Sequence, residues 1–94
     1  MNYGQLLSSL KIDLGIMSTV YDSRLTQYLE SAEKEIEREG INLSADSVDD
    51  QDIVIRYAAW MWRMRDKEAG MPRMLRWQLN NRLFEEKTET GEGA

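Results

Sequence analysis

Three arginines, Arg73, Arg76 and Arg82, lie with Asn80 and Asn81 on a short stretch that also carries Trp77 and Phe84. The chemistry these residues could do is recognition. A guanidinium forks onto carboxylates, phosphates or guanine edges, and a carboxamide pairs with adenine. Trp and Arg are also the usual anchors of protein interfaces. At about 100° per residue, Leu75, Leu79 and Leu83 share one narrow stripe of a helix, and Trp77 and Phe84 lie roughly opposite it. A surface helix of a single domain needs one apolar stripe, packed on its own core. Leu75, Leu79 and Leu83 are therefore expected to face inward, and Trp77 and Phe84 to sit at a contact with another molecule. Arg73, Arg76 and Arg82 are expected to pair with carboxylates across that contact, guiding association more than tightening it.

The chain offers little other chemistry. Among its 94 residues there is no histidine and no cysteine. Disulfides, thiol nucleophiles, thiolate metal sites and the usual general base near neutral pH are absent with them. The carboxylates show no spacing that suggests a Mg²⁺ or Ca²⁺ site. No catalytic residue, metal or cofactor is expected, and the chain does not read as an enzyme. No apolar run approaches the roughly 18–20 residues of a membrane span, and the start lacks the pattern of a signal peptide. A soluble, cytoplasmic protein with no membrane partner is expected. The net charge of −5 is unevenly placed: residues 1–50 carry −6, residues 51–84 carry +4 and residues 85–94 carry −3. Segments of opposite sign allow copies of one chain to attract each other head to tail.

The elements that must position these residues read as helices. One proline and thinly spread β-branched residues argue against a sheet. Asn2 and Gln5 have the spacing of a cap and its partner, opening a short helix with Tyr3, Leu6, Leu7 and Leu10 on one face. Residues 12–17 read as a connector around Gly15. Thr19 and Asp22 have capping-box spacing before a second helix, whose Tyr21, Leu25, Tyr28, Leu29, Ala32 and Ile36 form one stripe; Gly40 ends it. Ser47 and Asp50 repeat the box before a third helix over about 50–67. That helix is apolar on nearly every side (Ile53, Val54, Ile55, Tyr57, Ala58, Ala59, Trp60, Met61, Trp62, Met64) and is expected at the centre of the fold. Pro72 suits the first position of a shorter fourth helix. The expected architecture is all-α: a bundle of about four helices over residues 1–84, then a disordered acidic tail over residues 85–94.

Read in order, Leu10-Lys11-Ile12-Asp13-Leu14-Gly15-Ile16, Tyr21-Asp22, Glu39-Gly40-Ile41, Tyr57-Ala58-Ala59-Trp60-Met61-Trp62-Arg63 and Met71-Pro72-Arg73-Met74-Leu75 lead into Leu79-Asn80-Asn81-Arg82-Leu83-Phe84. From about Leu6 to Phe84 this order resembles the head–tail connector (adaptor) proteins of long-tailed phages and related prophages. The resemblance implies a structural virion protein that forms a ring of its own copies under the portal. Such a ring extends the DNA channel and offers a surface to the head-completion or stopper protein. It implies a place in the virion neck, with host cytoplasm before assembly, and DNA passing through without specific binding. Two other readings stand beside it. One is a stand-alone helical interaction module with Trp77 packed under the first helix. The other is a DNA-binding module using Arg73, Arg76, Arg82, Asn80 and Asn81, against which stand the acidic chain and the Trp and Phe on the same face.

Overall fold

A computed structural model of the chain describes residues 1–89. Among them are four helices and no strand: α1 (Tyr3–Leu14), α2 (Asp22–Arg38), α3 (Val48–Arg63) and α4 (Arg73–Glu89). The small all-α bundle read from the sequence is present, and α3 is its centre, packed against each of the other three helices. Its Ile53, Val54, Ala58 and Ala59 are buried among Leu6 and Leu10 of α1, Leu25, Leu29, Ala32 and Ile36 of α2, and Leu75 and Leu79 of α4. The two alanines present little side-chain bulk, which allows neighbouring helices close to the α3 backbone.

The helix ends show where local patterns hold and where tertiary contacts override them. Asn2 caps α1 as its spacing suggests, its side chain accepting from the Gln5 amide at 3.3 Å. The helix then continues through Ile12 to Leu14, so the connector begins later than expected. Gly15, at φ +70°, closes it: the Gly15 amide donates to Ile12 O and the Ile16 amide to Lys11 O. The Thr19–Asp22 capping box does not form. Asp22 places its carboxylate 2.8 Å from Lys11 Nζ, and the turn before α2 is held by the Asp22 amide on Thr19 O and the Val20 amide on Ser18 Oγ. An ion pair to α1 has displaced the local cap.

Ser47 caps α3 by accepting from the Asp50 amide, but the reciprocal half of the box is missing because Asp50 turns its carboxylate elsewhere. The helix stops at Arg63, four residues before the expected end. There the Arg65 guanidinium lies over the Trp62 ring, 3.9 Å from its centroid, and donates to Trp62 O, occupying the carbonyl that another turn would use. Pro72 precedes α4 instead of opening it, its carbonyl taking the Arg76 amide at 3.0 Å.

α4 is not short. It runs for 17 residues, the length of α2, and passes Phe84. Residues 85–89, expected in the tail, are helical. Glu86 reaches back to Arg82 at 2.9 Å and Thr88 Oγ1 donates to Phe84 O, which gives this turn local support. Residues 90–94, the rest of the expected tail, lie outside the described residues.

Long-range bonds set the directions of the helices. Tyr3 donates to Glu33 at 2.7 Å and Lys11 meets Asp22, so α1 and α2 are antiparallel. Arg82, late in α4, meets Asp50 at the start of α3, so these two are antiparallel as well.

Candidate functional site

The two faces of α4 separate as the heptad-like spacing requires. Leu75 and Leu79 are buried and Leu83 is half-buried. On the other side Trp77 is 60% exposed and Phe84 71%, with Met74 bare one turn before Trp77. Trp77 and Phe84 are seven residues apart and about 20° apart around the axis, so they form one stripe. Trp77 does not pack under α1, which removes the packing that the stand-alone reading assigned to it.

The three arginines have three different environments. Arg73 is exposed, with no ion pair among the described residues. Arg76 forks onto Glu39, Nη1 to Oε1 at 2.8 Å and Nη2 to Oε2 at 2.9 Å, tying α4 to the end of α2. That hydrogen-bonded carboxylate raises the Arg76 pKa, against the opposing effect of burial. Arg82 is held more deeply. Its Nε and Nη2 meet the two oxygens of Asp50 at 2.7 and 3.2 Å, Nη2 also donates to Asn42 O at 2.9 Å, and Nη1 meets Glu86. The Asp50 carboxylate, with Glu86 behind it, raises the Arg82 pKa although burial opposes this. Asp50 is 1% exposed and takes a further bond from the Ser44 amide at 2.8 Å. A buried carboxylate needs such partners, because its desolvation is otherwise uncompensated.

Two of the expected contact residues thus have partners within the chain. Arg76 and Arg82 pair with carboxylates of their own chain and brace α4, the Arg82 side chain with little exposure and that of Arg76 still 41% exposed. The exposed part of the candidate surface without a side-chain partner among the described residues is Arg73, Trp77 and Phe84, joined by Met74. Beside Trp77, Asp49 and Glu85, both exposed and in no ion pair among the described residues, line a groove of about 260 Å³ together with the paired Arg82. Of the basic block of residues 51–84, Arg76 and Arg82 are paired across elements and Arg56 with Asp52, whereas Arg63, Lys67 and Arg73 stay exposed.

A second surface escaped the sequence reading. At the α1–α2 corner Met17, Val20 and Tyr21 are exposed. Tyr21 meets Trp62 edge-on, 5.3 Å between centroids, and Tyr28 meets the same ring at 5.8 Å. Arg24 lies over Tyr28 and Arg65 over Trp62. The only local signals were the i,i+4 pair Arg24–Tyr28 and the closeness of Trp62 to Arg65; that all five meet is a tertiary fact.

No helix among the described residues is long and apolar enough to cross a membrane. No family model matches the chain, and neither a curated protein nor a solved structure does.

Proposed function

We propose that this chain is a structural head–tail connector subunit, assembling as a ring under a phage portal, extending the DNA channel and joining head to tail. The observation that carries the proposal is the outer face of α4, where Trp77 and Phe84 stay exposed on a helix whose inner face is already packed by Leu75 and Leu79. Large aromatic groups in water at both ends of one stripe favour a protein partner. The order of motifs from Leu10 to Phe84 supports the connector among such partners, and in this reading the molecule works by binding, without catalysis, metal or cofactor. The partners are copies of itself, the portal protein and a head-completion or stopper protein, at the virion neck. DNA-binding loses its best residues, since Arg76 and Arg82 are already paired. The test is to mix the chain with a purified portal ring and image the product by electron microscopy. A collar of added density at one end of the portal is expected, and its absence at saturating protein overturns the proposal.

A further inference from the structure

We infer that α4 is a hinged arm: it swings off α3 as one unit while α1, α2 and α3 stay folded, and the Arg82–Asp50 pair is the latch that holds it. The device belongs to the single chain and does not depend on assembly.

Helices α1, α2 and α3 each pack against the other two, whereas α4 packs chiefly against α3. The first three share a core of their own, built by Leu6, Leu10, Leu25, Leu29, Ile36 and Val54, and the Tyr3–Glu33 and Lys11–Asp22 bonds tie it together. In α4 only Leu75 and Leu79 are buried among the described residues, with Leu83 half-buried. The seam they make with α3 is imperfect. Trp60 of α3 and Gln78 of α4 line one groove where the two helices meet, and Trp60 Nε1 and Gln78 Oε1 are buried with no hydrogen-bond partner among the described residues. A buried polar atom without a partner weakens the packed state, and undocking returns Gln78 to water.

The connection over residues 64–72 supplies the hinge. Residues 65–70 are exposed, the amides of Arg65 and Lys67 reach only to Trp62 O and Met64 O, and open space surrounds Gly70. Only Met71 of this exposed stretch and its neighbours packs against the core. Segments with so few buried contacts are the ones that open first. Against opening stand three polar ties, all landing between the end of α2 and the start of α3: Arg76 to Glu39, Arg82 to Asn42 O and Arg82 to Asp50. The last is the latch, because Asp50 is 1% exposed and its charge needs the guanidinium while α4 is docked. Once α4 swings out, water reaches that carboxylate, and the Ser44 amide stays with it. The Arg82–Glu86 and Thr88–Phe84 bonds lie within α4 and survive the swing, so the helix moves whole.

Hydrogen exchange of the full chain, followed by NMR through low urea concentrations, tests the arm. Amides from Leu75 to Leu83 are expected to share one urea-sensitive opening, and to exchange faster than those of Leu29 in α2 and Ala58 in α3. Tyr3→Phe breaks a bond that survives the swing. It is expected to speed exchange at Ala58 about fivefold and to leave α4 unchanged. Arg82→Ala leaves Asp50 buried and unpaired only in the docked state, and is expected to speed α4 exchange about a hundredfold. Equal protection of α4 and Ala58, or equal acceleration of both by Tyr3→Phe, means one cooperative unit and overturns the arm. Exchange of the α4 amides one by one without urea dependence is end fraying and overturns it too. If Arg82→Ala unfolds the whole chain, α1, α2 and α3 do not stand without α4 and the arm is again overturned. Parent-like exchange of α4 in Arg82→Ala overturns the latch.

Discussion

Arg82 and Tyr3 show how much of this fold rests on single polar side chains that join distant elements. Arg82 satisfies a carboxylate with almost no access to water. Arg82→Ala is expected to lower stability by about 3–5 kcal/mol in urea unfolding, because Asp50 is left buried and uncompensated. Combining it with Asp50→Leu should recover part of that loss; if the double variant is as unstable as the sum of the two singles, the pairing is not the cause. Tyr3 donates to Glu33, and this hydrogen bond, with burial and the surrounding carboxylates, pushes its pKa up to about 12 from 10. A raised folded pKa means that the phenol's contribution is complete below the unfolded value and is lost as pH rises through the folded one. Stability is therefore expected to fall between about pH 10 and 12, with a smaller fall in Tyr3→Phe. Unfolding curves across that range, with ultraviolet titration of the phenols, check it; equal losses in the two proteins would clear Tyr3 of any part.

At the scale of elements, α3 and α4 solve different problems. α3 is enclosed by three neighbours, and Ala59 leaves room for one of them. Ala59→Leu is expected to cost about 1–3 kcal/mol by overpacking. A thermal melt matching the parent protein would put that position at the surface. α4 divides its labour between faces. Leu79→Ala removes a wholly buried side chain and is expected to cost about 2–5 kcal/mol of fold stability. Trp77→Ala should leave the melting temperature of the single chain nearly unchanged while impairing assembly or portal binding. Should both variants melt equally early, Trp77 belongs to the core and the two-faced reading of α4 fails.

For the molecule as a whole, charge is decided by folding more than by counting. The chain carries −5, and Arg76, Arg82 and Arg56 are each paired with a carboxylate of the same chain. No continuous basic stripe of the kind that tracks a DNA backbone remains on α4. Retention on duplex DNA is expected to be negligible at about 150 mM salt. Binding there with a steep salt slope would revive the DNA-binding alternative.

The apolar spacing alone determined the helical class, the enclosed position of α3 and the two faces of α4, because a helix carries its periodicity in neighbouring residues and each side chain's azimuth follows from its number. The caps at Asn2, Ser47 and Gly40 were legible for the same reason. Periodicity did not say where a helix starts or stops when another group intervenes, as the distant Lys11 does at Asp22 and as the neighbouring Arg65 does at Trp62 with its fold-back. Nor did it say which carboxylate an arginine meets. Glu39 is 37 residues from Arg76 and Asp50 is 32 from Arg82. Such pairs form because two elements come to lie side by side, a relation that spacing along one helix does not contain. Only the tertiary structure could therefore show Arg76 and Arg82 as braces between elements and bring Arg24, Tyr28, Trp62 and Arg65 together at one corner.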